Sequence, residues 1–211
     1  PIKNGIVMEG GAMRGLFTAG VLDVFMENGI AFDGAAGVSA GAAFGCNLKS
    51  RQIGRVIRYN RKYCGNWHYV GWRSLLLTGD LYGADFGYRR LVDELDPFDR
   101  AAFRASPMEF YAVCTDNGTG KAVYRPCLDG GAEDMLWIRA SASMPVVSRP
   151  VMIGGTAYSD GGTGDSIPVR FFERRGYRCV TVLTQPQGYT KGPLRHGAVI
   201  AASLRRWPAL I

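Results

Sequence analysis

A serine lies at the centre of the pentapeptide GVSAG, residues 37–41, and this limits the chain to few local structures. The apolar stretch 32–36 precedes the pentapeptide, and residues compatible with a helix continue to Leu48. Glycines two positions before and after Ser39 allow a sharp strand-to-helix turn that exposes the hydroxyl. The N–H groups and positive dipole end of the helix then face whatever the serine attacks. Because GxSxG also occurs by chance, the pentapeptide alone is equally compatible with a glycine-rich turn.

Short apolar segments that are typical of strands alternate with predicted helices. Strands are expected at 6–8, directly before Ser39, at 109–115 and 121–125, in two pieces of 151–159, and at 178–184. Helices are expected at 16–28, directly after Ser39, and at 52–64, 84–95, 131–142 and 167–175. Several strands are continuously apolar, which favours an α/β fold with a mainly parallel central sheet and helices on both faces. We expect one domain over residues 1–211.

The loop 9–15 is a candidate binding element. Gly10, Gly11 and Ala12 are small enough for several backbone N–H groups to converge on one point, as in an anion-binding nest or an oxyanion hole. The spacing fits neither the dinucleotide-binding nor the P-loop pattern, which disfavours a phosphate cradle. Arg14 either orients this loop, binds an anionic group or satisfies backbone carbonyls.

A serine nucleophile needs a base, and the candidates are histidines and aspartates. His68 lies in an aromatic stretch and His196 in a segment flanked by proline and glycine, so we interpret both as surface residues. Asp160 follows a predicted strand and precedes two glycines, although an ordinary Asp-Gly turn is the alternative. An aspartate has an ordinary pKa of about 3.9, so Asp160 serves as a base only if burial raises that pKa.

Two further carboxylates compete with Asp160. Asp116 is typical of a turn, and Asp165 is placed to cap the helix that follows. Ligands of parallel α/β sheets bind beyond the carboxyl ends of the strands. Loop 9–15, Ser39 and Asp160 all occupy that kind of position, so we expect them to form the site together.

Taken in order, EGGAMRG at 9–15, GVSAG at 37–41 and DGG at 160–162 resemble the three hallmark motifs of the patatin-like phospholipase family. The segments ASASMP at 140–145 and DSIPV at 165–169 are similar to the bacterial branch of that family. The resemblance extends from about residue 5 to 185 and implies a three-layer α/β/α fold. Members often continue further, so the resemblance leaves room for a C-terminal portion that forms a lid or part of the acyl pocket.

The resemblance implies a serine acyl hydrolase, a phospholipase A-type esterase, with Ser39 as the acylated nucleophile and Asp160 as the general base. No histidine takes part in such a dyad, which agrees with the poor placement of both histidines. The implied oxyanion hole uses the backbone N–H groups of Gly10, Gly11, Ala12 and Ala40. Ala12 departs from the third glycine that the family often has, and because alanine disfavours positive φ, it is open which amides face the oxyanion.

The net charge of +7 favours an anionic partner. A basic stretch at helical spacing is interleaved with aromatic residues: Arg51, Arg55, Arg58, Arg61 and Lys62 with Tyr59, Tyr63, Trp67 and Tyr69, ending at Trp72. This stretch is a solvated helix face, a peripheral contact with an anionic membrane surface, or a set of aromatics that closes the core. We expect a lipid or phospholipid substrate and no nucleic acid, because no DNA- or RNA-binding pattern is present.

Five cysteines without a CxxC pair, together with only two histidines, disfavour a zinc site. We expect reduced, mostly buried thiols, no metal, no cofactor and a cytoplasmic location, with peripheral membrane contact. Two other functions remain open on these residues. One is a non-catalytic lipid or acyl-chain binding module on the same fold, and the other is a nucleic-acid-binding domain suggested only by charge.

Overall fold

The computed structural model describes residues 2–186, 188–190, 192, 200–202 and 204–210. Its centre is a seven-stranded sheet in the order β5-β6-β3-β2-β1-β7, with β4 paired to the other edge of β3. The strands are β1 Lys3–Met8, β2 Gly34–Val38, β3 Glu109–Asp116, β4 Ala122–Pro126, β5 Val151–Ile153, β6 Thr156–Asp160 and β7 Tyr177–Val182.

The four strands β7, β1, β2 and β3 are parallel, and β4, β5 and β6 are antiparallel to their neighbours. The parallel strands have the apolar sequences from which a parallel sheet was predicted. The predicted α/β class is therefore confirmed, with a mixed sheet in which antiparallel strands lie on the β3 side.

The helices are α1 Gly15–Glu27, α2 Ala40–Lys49, α3 Arg55–Tyr63, α4 Trp72–Thr78, α5 Arg100–Ala105, α6 Ala132–Ser141 and α7 Val169–Glu173. A π-helix spans Phe86–Leu95, and short 3₁₀ helices span Ala12–Arg14 and Pro208–Leu210. The sequence patterns predicted the longer helices but missed α4 and α5. Both are short, and α4 presents apolar side chains to solvent, so it has no amphipathic period.

Helices lie on both faces of the sheet. On one face α1, α2, α5 and α6 pack on the strands in a cluster that includes Ile6, Met8, Leu22, Ala42, Phe103, Phe110 and Ile138. Because successive side chains of a strand point to opposite faces, Val7 and Tyr111 face the other way and pack against Phe172 of α7. This gives three layers, of which the α7 layer is the smaller. Outside the first layer, α3 and the π-helix pack on α1 and α2.

Strands β2 and β6 share one edge of β3. Strand β2 ends at Val38, opposite Val113, and β6 ends at Asp160, opposite Cys114. The other edge of β3 pairs with β4 at residues 111–115, so β2 and β6 lie on the same edge. The two strands run towards each other and end at neighbouring registers of β3.

All five cysteines are free thiols, as expected. Cys46, Cys114 and Cys127 are buried, Cys179 is half-buried and Cys64 is exposed. Burial raises the pKa of Cys46 to about 12, so this thiol stays protonated at neutral pH. Across the described residues, the structure contains no helix with the length and apolar character needed to span a bilayer.

Candidate active site

Ser39 occupies the turn between β2 and α2 with φ 55° and ψ −121°, a conformation that non-glycine residues rarely adopt. Such strain persists where the surroundings enforce it and is common at active sites. A Cβ on Gly37 would collide with the Gly41 carbonyl, and a Cβ on Gly41 would collide with the Met8 carbonyl. Both glycines are therefore required by close backbone approach. The Ser39 side chain lines a cavity.

Ser141, the last residue of α6, supports this turn. The Ser39 N–H donates to the Ser141 Oγ at 3.0 Å, and the Ser141 hydroxyl donates to the Val113 carbonyl at 2.6 Å. These bonds connect the turn to the end of β3. Sequence reasoning missed this role, although Ser141 lies in the ASASMP segment noted above.

Asp160 ends β6 beside this turn. Its backbone N–H donates to the Ser143 carbonyl at 2.9 Å, and its Oδ1 accepts the Gly162 N–H at 2.8 Å. Its Oδ2 is buried and has no hydrogen-bond partner within normal distance. Burial raises the pKa of Asp160, while the nearby Ser39 hydroxyl and the Gly162 N–H oppose this rise. The carboxyl thus has one oxygen unused, and catalytic hydrogen bonds are often long before substrate binds.

Asp160 reaches Ser39 in a way that the sequence argument did not foresee. The sequence predicts that Asp160 follows a strand of a parallel sheet, but β6 is antiparallel to β3. The two residues meet because β2 and β6 end at neighbouring registers on one edge of β3. Thr115 fixes the end of β6, since its hydroxyl donates to the Asp160 carbonyl at 2.8 Å.

The glycine loop lies against the serine turn. A Cβ on Gly10 would come within 2.9 Å of the Ser39 Cβ, so only glycine fits there without displacement. Ala12 adopts φ 50°, the left-handed conformation that alanine disfavours. The loop therefore has a positive φ at this position in spite of the side chain, and which amides face the oxyanion stays a prediction.

Thr184, just beyond β7, anchors this loop, and sequence reasoning did not identify it. Its hydroxyl lies 2.6 Å from the Gly10 carbonyl, and its N–H donates to the Glu9 Oε2 at 2.6 Å. The Gly11 carbonyl accepts the Arg14 N–H at 3.0 Å. Each loop carbonyl named here therefore has a donor.

Several backbone N–H groups of the glycine loop and of the start of α2 have no acceptor among the described residues. Within the part of the chain that the structure describes, none is found for the backbone N–H of Gly10, Gly11, Ala12 or Ala40. Unpaired N–H groups in a glycine loop and at a helix N-terminus attract negative charge. The arrangement is suited to stabilising an oxyanion beside the Ser39 hydroxyl. The Arg14 side chain is exposed and lies near Gly11, and its role stays a prediction.

A cavity of about 100 Å³ extends from Ser39 into the helical layer. Ala12, Ala40, Arg55 and Phe98 are among the residues that line it. Most of its wall is apolar, contributed by Phe44, Cys46, Leu91, Val92, Met135 and Ile138. Tyr59, Tyr69, Tyr82 and Tyr88 add phenol groups whose pKa is raised by burial, so they remain neutral hydroxyls.

The alternative bases have other contacts. His68 is exposed, with its Nδ1 3.1 Å from the Asn66 Oδ1, and His196 lies outside the described residues. Asp116 accepts backbone N–H groups within its own turn. Asp165 accepts the Tyr124 hydroxyl at 2.7 Å and the Ile167 N–H at 3.3 Å. The turn role predicted for Asp116 agrees with these contacts. The prediction that Asp165 caps the next helix is wrong, because α7 begins at Val169 after Pro168 with no side-chain cap, and Asp165 accepts an N–H that lies before the helix.

The basic and aromatic stretch is divided between core and surface. Arg55 is buried and donates to the Asn47 Oδ1 at 2.9 Å, and Tyr59 and Tyr69 are buried. The interpretation of the whole stretch as a solvated or docking face is wrong for these three residues, because their side chains pack on the cavity. Trp72 is exposed, as are Arg51, Arg61 and Lys62.

Comparison with known proteins gives a consistent result. The sequence model of patatin-like phospholipases matches residues 6–172. The uncharacterized protein YjjU of Escherichia coli is 30% identical over 192 residues, covering 87% of this chain and 52% of that protein.

Fungal relatives are longer. Lysophospholipase nte1 of Emericella nidulans is 27% identical, over 88% of this chain and 12% of that protein. Lysophospholipase NTE1 of Debaryomyces hansenii is 26% identical, over 93% of this chain and 13% of that protein. The chain thus spans about half of the bacterial relative and a small part of each fungal one.

Proposed function

The chain belongs to the patatin-like phospholipase family, and we propose that it is a serine acyl hydrolase that cleaves fatty acyl esters of lipids. The observation that carries the proposal is a buried carboxyl with one unused oxygen, that of Asp160, beside the Ser39 hydroxyl. Unpaired N–H groups next to the serine and an apolar cavity add support. Relatives that are named lysophospholipases support a lipid substrate.

In the proposed acylation step, the Asp160 Oδ2 accepts the proton of the Ser39 hydroxyl while the Oγ attacks the ester carbonyl carbon. The carbonyl oxygen becomes an oxyanion, which the backbone N–H groups of Gly10, Gly11, Ala12 and Ala40 stabilise. The tetrahedral intermediate then collapses, and the alcohol leaves with the proton from Asp160. The product is an acyl ester on Ser39.

Deacylation uses the same groups, with water as the nucleophile and Ser39 as the leaving group. Asp160 takes a proton from water, which attacks the acyl carbon, and the fatty acid leaves as Ser39 recovers its proton. The raised pKa of Asp160 favours both halves of the cycle, because a base of ordinary aspartate pKa takes a proton from a hydroxyl poorly. The acyl chain is proposed to occupy the apolar cavity beside Ser39.

We also propose that the protein meets its substrate at an anionic lipid surface, in the cytoplasm. The net charge of +7 and the exposed Arg51, Arg61 and Lys62 support the first part. The five free thiols are in keeping with the second.

The test compares wild type, Ser39→Ala and Ser166→Ala on a panel of nitrophenyl esters, a lysophospholipid and a diacyl phospholipid. Ser166 is an exposed serine away from the cavity and is the matched control. We expect Ser39→Ala to lower ester hydrolysis by about a thousandfold or more. A fluorophosphonate should add to wild type and Ser166→Ala, but not to Ser39→Ala, in intact mass spectra. Wild-type turnover by Ser39→Ala, or no adduct on wild type, contradicts the proposal.

A further inference from the structure

Helix α4 presents three large apolar side chains to solvent. Trp72 is 74% exposed, Leu76 85% and Leu77 63%. Residues four apart in a helix lie on the same side, so Trp72 and Leu76 are neighbours. Clustered apolar residues on a protein surface mark interaction sites, whereas single ones do not.

The segment 144–149, which we call the strap, lies beside the end of α4. The Leu81 N–H donates to the Val147 carbonyl at 2.8 Å, and the Arg149 N–H donates to the Asp80 Oδ1 at 2.8 Å. Val146 of the strap is 49% exposed and has φ 75°. A β-branched residue at positive φ is strained, so packing and hydrogen bonds hold the strap in this form.

Residues 66–79 and the strap together form the α4–strap surface, which contains no Asp or Glu. Its cations are exposed: Arg73, whose guanidinium lies 4.4 Å from the centre of the Trp67 ring, and Arg149, which packs against Gly79. The acidic residues Asp85 and Asp93 line the groove beside Trp67 and Leu77, but each is paired with an arginine, Arg89 or Arg100. Apolar side chains accompanied by unpaired cations are complementary to anionic headgroups above an acyl layer.

This surface is continuous with the catalytic cavity. Tyr69 and Tyr82, on either side of α4 in the chain, line the cavity together with Met144 and Ser148 of the strap. We propose that the α4–strap surface docks the protein on an anionic bilayer. We further infer that the lipid passes between α4 and the strap to Ser39, a second statement that rests on the proposed hydrolase function.

The experiment measures co-sedimentation with vesicles of phosphatidylcholine, alone or mixed with phosphatidylserine, in a Ser39→Ala background without turnover. We expect Leu76→Asp and Trp72→Asp each to lower partitioning into mixed vesicles at least tenfold, because each removes one apolar side chain that inserts into the bilayer. Arg73→Gln should cost about fivefold on mixed vesicles and nothing on phosphatidylcholine alone.

The matched control is Leu128→Asp. Leu128 is 67% exposed. The backbone N–H of its neighbour Cys127 donates to the Phe110 carbonyl near the start of β3, at the end of the sheet opposite Ser39. This variant should partition like its parent.

Two results overturn the docking proposal: no binding by the parent protein, or undiminished binding by Leu76→Asp. If α4 instead contacts a second copy of the chain, sedimentation velocity shows a dimer that Leu76→Asp dissociates while vesicle binding stays unchanged. Failure of the hydrolase proposal is distinguishable, because inactive wild type can still bind vesicles. Conversely, loss of docking alone leaves hydrolysis of a soluble ester intact.

Discussion

At the turn that carries Ser39, backbone packs directly against backbone, whereas on α4 and the strap large side chains face solvent. The turn is surrounded by Gly37, Gly41 and the Met8 carbonyl, with no room for a methyl group. The strap is hydrogen-bonded to Asp80 and Leu81, just beyond α4, and carries a strained valine. Both regions border the same cavity. The comparison teaches that the side chains proposed to react are held in place by close packing. The surface proposed to admit the lipid has to stay exposed, and close packing would remove it.

Among the substitutions that test this comparison, Asp160→Asn in the closely packed region is expected to have the largest effect. Asparagine keeps the shape but cannot accept a proton as a base, so ester hydrolysis should fall about 10³- to 10⁴-fold. Because burial disfavours the ionised carboxylate, the variant should melt no lower than wild type at neutral pH. Steady-state kinetics and calorimetry check both values. Substantial activity in Asp160→Asn contradicts the assigned base.

Gly41→Ala tests whether the turn is as tight as the contacts indicate. The new Cβ would overlap the Met8 carbonyl of the central strand β1, so the free energy of unfolding should fall by about 3 kcal/mol. The control is Gly20→Ala, in the interior of α1 with no atom within 4 Å of the added Cβ. That change should raise stability by about 0.5–1 kcal/mol. Chemical denaturation measures both, and equal effects of the two substitutions contradict the argument.

The pH dependence follows from the direction of the Asp160 shift. Only the ionised carboxylate is a base, so activity rises with pH through a pKa above the ordinary aspartate value of about 3.9. Below that pKa, kcat/KM should fall about tenfold per pH unit. Since the folded state binds this proton more tightly, the associated stability is present at low pH. It is lost as pH rises from the unfolded to the folded pKa.

The Ser39 hydroxyl lowers the pKa of Asp160, so Ser39→Ala should raise it further. Carboxyl carbon NMR titration of both proteins measures this change. An unchanged or lower pKa in Ser39→Ala is inconsistent with the two side chains being in contact.

The smallest expected effect lies on the access side. Asp80→Ala removes the acceptor of the Arg149 N–H and should lower the free energy of unfolding by about 1–2 kcal/mol. Amide hydrogen exchange of the strap should become faster, while exchange in β1 and β2 stays as in wild type. Asp80→Asn retains an acceptor oxygen and should largely preserve both properties. Equal acceleration in strap and sheet would remove the contrast between the two regions.

The motifs around Ser39 and in loop 9–15 could be predicted from sequence because their constraints are local. The glycines at 37 and 41 act within one turn, and a strand before them with a helix after them is enough to place Ser39. Asp160 was proposed as the base because Gly161 and Gly162 follow it, but its position on an antiparallel strand was not predicted. The pairing of β6 with β3 depends on contacts between residues about 45 positions apart, which a linear pattern does not contain.

The residues that support the site could not be predicted from sequence for the same reason. Ser141 and Thr184 are ordinary hydroxyl residues whose roles come from partners 102 and about 175 positions away in the chain. Only folding reveals them.

By itself, the sequence determined the α/β class, the family and the turn that carries Ser39, and it singled out Asp160 as the proposed base. The spacing of glycines and apolar residues constrains only a few neighbouring positions, so its consequences can be predicted from the sequence. The tertiary structure alone decided how Ser39 and Asp160 meet, which aromatics line the cavity and which remain on the surface. It also decided that α4 and the strap, two segments without acidic residues, lie side by side. Those outcomes depend on which distant segments pack together, because burial is a property of the assembled layers and not of any segment.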